Sequence, residues 1–253
     1  MTAPGVPNLI DPQVPGVRFG SLVRVESRKL TDSRGALGVL IALGVLLLII
    51  TITGMSNGTI AFDSALSALS ATAANFLAII AIMLVTAEWS QRSVVSTFTL
   101  EPRRERVVVA KALAALALGA VAFVVCLLLA WLISAVNGET MDHAGEALVS
   151  AALYIGFLVL MGFAFALLLL NTPGAIVAFF ILPTLLVPLL VGLVSDQDSD
   201  AQTWVTPSMA LDQFTPGTTS SGSPWLPLLV CALVWIVLPG ALGAYRVQVS
   251  EVK

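Results

Sequence analysis

Six long apolar runs alternate with shorter polar segments along the chain. They cover residues 36–53, 65–87, 112–136, 147–170, 174–194 and 226–244. A hydrocarbon core about 30 Å thick is crossed by roughly 20 residues of helix, so each run is long enough to span a bilayer. None shows the alternation of a barrel strand. The pattern therefore predicts an all-α, polytopic membrane protein with six transmembrane helices, here spans 1 to 6. Span 1 is not expected to be a cleaved signal peptide, because residues 1–35 precede it and a small-residue exit is lacking.

The polar segments between the runs carry more information. In segment 17–33, Phe19, Leu22, Val23, Glu26 and Leu30 recur at near-helical spacing, with basic residues over the rest. This predicts an amphipathic helix just before span 1, where Lys and Arg meet anionic headgroups; the plainer alternative is that these charges only set topology. Pro4, Pro7, Pro12 and Pro15 make 1–16 an expected mobile tail before a single transmembrane domain over 17–253. Segment 88–111 is too long for a simple helix–helix turn. Within it, 93–101 is expected to form a short helix with Val94, Val95 and Phe98 on one side, ended by Pro102. Such a helix suits docking by a soluble partner, while a plain basic loop is again the alternative. In segment 195–225, Pro207 is expected to open a short helix with Met209, Leu211 and Phe214 as apolar contacts. That helix is re-entrant or interfacial, with Trp204 and Trp225 at a membrane–water boundary.

Composition agrees with the pattern. The chain is 58% hydrophobic and 11% charged, against about 45–50% and about 25% in soluble domains. This excludes an ordinary soluble enzyme, a nucleic-acid-binding domain and a disordered chain. Net charge is only −3, but its distribution is polarised. All 12 Lys and Arg residues fall in the N-terminal segment, the span 2–3 connection or the C-terminal tail. The opposite face holds Asp63, Glu139, Asp142, Glu146, Asp196, Asp198, Asp200 and Asp212, and no Lys or Arg. By the positive-inside rule both termini are cytoplasmic. No Lys or Arg stands near the middle of a span, which disfavours ion-coupled transport. Cys126 and Cys231 lie in apolar runs and read as small hydrophobes. His143 is the sole histidine, beside Asp142 and Glu146; a solvated side chain is the reading there, so neither a catalytic nor a metal site is expected.

Together these pieces resemble the ABC-2-type permease subunit of ATP-binding-cassette exporters, the type V exporter fold. The resemblance covers most of the chain. It rests on the amphipathic elbow helix, six spans, the long span 2–3 connection and short helices between spans 5 and 6. The local match is Glu88, Ser96-Thr97-Phe98-Thr99, Pro102-Arg103-Arg104 and Lys111, with Arg92-Ser93 where the family shows Gly-Thr.

The resemblance implies a permease without its own motor, and so no enzyme in this chain. The three lysines follow Arg28, Ala110 and Val252, so the Gly-Lys of a phosphate-binding loop is lacking. ATP and Mg would be bound by two separate ABC ATPase subunits. In the family, segment 93–101 corresponds to the coupling helix that docks on the ATPase. That implies coupling roles for Glu88, Val94, Val95, Phe98, Glu101, Arg103, Arg104 and Arg106. Spans 2 and 5 line the family's pathway, which implies lining roles for Ser64, Ser67, Asn75, Pro183, Thr184 and Pro188; bonding between helices is the plainer reading of these residues. A second or homologous permease copy would complete the pathway, with Ser67, Ala71, Asn75, Gly240 and Ala244 as small residues for close packing. The implied function is multidrug-efflux-type export of an amphipathic drug, antibiotic, peptide or lipid across a bacterial-type plasma (inner) membrane. A secondary transporter or channel without an ATPase is the competing reading.

Overall fold

The computed structural model describes residues 19–90, 104–141, 143–194, 201–218 and 222–249. All regular structure among them is helical. Helix α1 covers Phe19–Asp32, α2 covers Arg34–Asn57 and α3 covers Phe62–Ser90. Helix α4 runs over Arg104–Asn137 and α5 over Ala144–Leu169. Span 5 is α6 (Thr172–Ile181), a widened π turn (Leu182–Leu186) and α7 (Val187–Val194). Two short helices follow, α8 (Ala201–Val205) and α9 (Pro207–Asp212). Span 6 is α10 (Trp225–Ala232), a second π turn (Leu233–Val237) and α11 (Leu238–Val249). Six of these units are long and apolar enough to cross a membrane, and they coincide with the six expected runs.

Local chemistry sets the boundaries. Ser33 breaks the chain between α1 and α2, and its hydroxyl accepts the Ala36 amide. This is an ordinary N-cap, with extended backbone at the cap residue. Helix α2 ends on Gly58 at φ 70°, a left-handed C-cap that glycine adopts without strain. The turn from α5 to α6 takes only Leu170 and Asn171; the Asn171 side chain accepts the Gly174 amide at 2.9 Å.

Both π turns stand before a proline at the same offset. Leu182 begins one and Pro188 follows; Leu233 begins the other and Pro239 follows. A proline in a helix lacks the N–H and crowds the carbonyl four residues back, here those of Thr184 and Trp235. Widening the turn relieves that conflict. The Val187 amide accordingly bonds Leu182 O, and the Leu238 amide bonds Leu233 O. At this turn span 5 shifts its backbone bonding by one residue.

Helices α3 and α5 form the centre. Sixty-one per cent of the most apolar stretch of each is buried, against 11% for span 5. Ala65, Ala73, Ala74, Ala78 and Ala81 on α3 are fully buried, and these small side chains let a neighbouring backbone approach closely. A Cβ on Gly162 of α5 would stand 2.8 Å from Ala78 O. On span 6, Gly243 crosses α5 closer still, 2.5 Å from Leu167 C on the same measure. Gly240 makes only ordinary contact, 3.7 Å from Ala164 Cβ. Outward faces carry Ile41, Leu48, Ile52, Val121, Leu128, Leu185 and Leu189, the composition a lipid-facing surface requires.

Candidate functional site

Contacts between helix ends sort the charges. At one end, Lys111 Nζ lies 3.5 Å from Leu84 O, Thr86 and Thr172 hydroxyls share a 2.7 Å hydrogen bond, and Arg246 donates to Leu168 O at 2.8 Å. The start of α4 and the ends of α3, α5 and α11 therefore meet there, with α1 packed against them. At the other end, Asn137 Nδ2 donates to Gly54 O and Ile60 O, joining the end of α4 to the α2–α3 turn. The start of α2, with Arg34, lies at the first end too, Gly35 packing against Met83 of α3, so every Lys and Arg of the described residues belongs to α1 or to segments at that end, whereas Asp63, Glu139 and Glu146 stand at the second.

The basic end is built around a buried ion pair. Glu26 is 2% exposed and Lys111 4%. Lys111 Nζ donates to Glu26 Oε2 at 2.6 Å, and Lys29 Nζ donates to Oε1 at 2.8 Å. Charge-assisted bonds of this length are among the strongest a side chain makes. In the sequence Lys111 only opens span 3, and Glu26 is only one member of the α1 stripe. The signal in the sequence was an acid on the apolar stripe of an amphipathic helix.

Most coupling residues read from the sequence, Val94, Val95, Phe98, Glu101 and Arg103, lie outside the described residues, as does the whole of 93–101. Glu88 belongs to the last turn of α3 and Arg104 to the first residue of α4. Arg106 is half-buried two residues further along. Helices α3 and α4 have 29 and 34 residues, roughly 44 and 51 Å at 1.5 Å per residue. Both exceed the thickness of a hydrocarbon core of about 30 Å.

The pathway residues are dispersed. Ser64 lines a cleft of about 280 Å³ between α2, α3 and α4, with Gly54, Thr59, Ala68 and Ile133, and none of the other five lines it. Ser67 and Asn75 are half-buried; Asn75 Nδ2 donates to Ala71 O of its own helix at 2.8 Å. Pro183 is buried, Pro188 half-buried and Thr184 exposed on span 5.

The acidic end carries a cap that only the tertiary structure reveals in full. Trp235 Nε1 donates to Val205 O at 2.7 Å, and Cys231 Sγ approaches Trp204 O at 3.4 Å. Trp235 and Cys231 lie in the first half of span 6, so α8 packs along the side of that helix rather than beyond its end. Pro207 opens α9 as expected, with Leu211 buried, Met209 exposed, and Phe214 edge-on to Trp225 at 4.7 Å.

Asp212 ends α9. It is exposed along one side, yet partial burial pushes its carboxyl above the ordinary 3.8. A raised carboxyl pKa means that folding favours the protonated form, so its contribution is greatest at low pH and is lost as pH rises through the raised value. Asp212→Asn is expected to melt at a higher temperature than wild type at neutral pH. The two should converge below the ordinary aspartate range; parallel melting curves across pH would refute this.

Among the described residues no cluster of three or more His, Cys, Asp or Glu side chains is placed to hold a metal ion, and both cysteines are buried singly in the core. No protein-family model matches the chain, and no curated protein does either.

Proposed function

We propose that this chain is the transmembrane permease subunit of an ATP-driven exporter of the ABC-2 type, working with separate ATPase subunits and a second permease copy. The observation that carries the reading is the placement of α1. An amphipathic basic helix precedes span 1 and is fastened by a buried ion pair to the start of span 3. That arrangement supports a reading in which the pre-span helix and the adjoining ends of α3 and α4 act as one unit, against which a soluble motor on the basic side would push. In this reading ATP and Mg belong to the partner, in keeping with a sequence that has no Gly-Lys pair. Positive-inside bias makes the basic end cytoplasmic, in a bacterial-type plasma membrane. Apolar walls with few charges suit an amphipathic drug, antibiotic, peptide or lipid as substrate. In this reading the exposed or half-buried Ser64, Ser67, Asn75, Thr184 and Pro188 are the pathway candidates, while Pro183 is buried within the chain.

Two measurements test this. The chain, tagged and purified from its native host, is expected to bring down a soluble subunit with a phosphate-binding loop. Replacing Val94 and Phe98 together with Asp is expected to leave the chain folded but to cut transport at least tenfold per ATP hydrolysed. Transport by the purified chain alone on an ion gradient would instead establish the secondary-transporter reading.

A further inference from the structure

Glu26 carries the least expected charge of the fold. The inner face of α1 is Leu22, Glu26 and Lys29, while Ser21, Arg24, Val25 and Arg28 point outward. A carboxylate in the middle of a buried stripe is costly to desolvate. An ion pair offsets that cost only when its remaining hydrogen-bonding capacity is also used. Here both oxygens are engaged, Oε1 by Lys29 and Oε2 by Lys111. The Lys111 ammonium also reaches Leu84 O on α3. Three helices, α1, α3 and α4, therefore converge on one side-chain nitrogen. Apolar residues of similar volume would fill the same space without the desolvation penalty, so stability alone does not account for the pair. Its particular contribution is geometric: the Lys111 bond ties α1 to α4 at a defined point, while Lys29, on α1 itself, holds the carboxylate in the orientation that bond needs. A greasy contact would let the helix slide. Beyond α1, only Ser33 separates that helix from α2.

We propose that the Glu26–Lys111 pair is a positioning device that makes α1 move as one body with the adjoining ends of α3 and α4, and so carries their displacement across Ser33 into span 1. The proposal deepens the permease reading and rests on it for the source of the force.

Nitroxide labels on Ser21→Cys of α1 and Leu128→Cys, an exposed position of α4, report the clamp by pulsed dipolar spectroscopy. In the otherwise wild-type chain one narrow distance is expected. Glu26→Met with Lys111→Met should keep the melting temperature at or above wild type and broaden that distance at least twofold. The charge exchange Glu26→Lys with Lys29→Glu and Lys111→Glu, which keeps position 29 opposite in charge to position 26, should narrow it again. A second label pair, Ile41→Cys on α2 with Leu128→Cys, is read in the complex with its ATPase. It should shift on adding ATP, Mg and vanadate in the wild type and in the exchanged variant, and not in the double-Met variant. A double-Met variant that keeps the narrow Ser21–Leu128 distance overturns the proposal, and so does a nucleotide shift at Ile41 that survives it. If no ATPase co-purifies, the permease reading fails, while the Ser21–Leu128 distance in the chain alone still decides whether the pair positions α1.

Discussion

Gly243→Val is expected to unseat span 6 from α5. A Cβ at this position would stand 2.5 Å from Leu167 C and 2.6 Å from Leu168 N, both backbone atoms that no rotamer change can move. Gly162 is the equivalent point between α5 and α3, where a Cβ would meet Ala78 O at 2.8 Å and Ala78 Cα at 3.1 Å. Forcing extra carbon into a packed contact costs about 1–3 kcal/mol. Alanine at either glycine should fall in that range and valine above it, because its branches meet the same backbone. Gly38 is the control: it is exposed on α2 with nothing within 4 Å of its Cβ position, and alanine there is expected to be neutral or slightly stabilising. Thermal melting in detergent, followed by size-exclusion chromatography, ranks the variants. Equal melting of Gly38→Ala and Gly243→Val would show that the crossing tolerates a side chain.

Trp235→Ala is the second large effect. The indole is 6% exposed, stands 6.1 Å from the Phe165 ring and donates its N–H to Val205 O at 2.7 Å. Truncating a buried aromatic to alanine costs about 3–5 kcal/mol. The ring also anchors the cap of α8 and α9, so the loss should be felt there first. Trp235→Phe separates the two contributions. It keeps most of the packing and leaves the Val205 carbonyl without its indole donor, a cost of about 1–3 kcal/mol. Amide hydrogen exchange is expected to quicken across 201–212 in both variants, while 226–232 changes less. Unchanged exchange in the phenylalanine variant would mean that packing, and not the hydrogen bond, holds the cap in place.

The two π turns show how much of this arrangement is written locally. Pro188 and Pro239 each crowd the carbonyl four residues earlier, and a widened turn is one of the few ways to relieve that conflict without breaking the span. Their prolines are visible in the sequence, but the choice between a kink and a widened turn is not, since both satisfy the local clash. In span 6 the widened turn is centred on Trp235, the residue that reaches Val205.

Glu26 illustrates the opposite case. Periodicity places it on the apolar stripe of α1, and local spacing offers only Lys29, three residues on, as a partner. Lys111 is 85 positions away. Pairing across that distance depends on how α1 is laid against α4, which is a property of packing. The same holds for the small residues. Ser67, Ala71, Asn75, Gly240 and Ala244 are candidates for close contact with a second copy because small side chains permit it. Within the chain the tightest backbone crossings fall at Ala78 with Gly162 and at Leu167 with Gly243. Composition says where a helix can be approached, and only the crossing geometry says where it is.

By itself the sequence determined that six spans exist, where most of their ends fall to within about five residues (α4 starts earlier, at Arg104), that the chain is built for a bilayer and that its basic residues are segregated. These follow from apolar run length, capping residues and charge placement, all local or additive quantities. The tertiary structure alone decided that α1 is fastened to span 3 through a buried ion pair, that α8 and α9 dip beside span 6, and which glycines carry the helix crossings. Each of those depends on atoms brought together from distant parts of the chain, and packing geometry has no signature in any single segment.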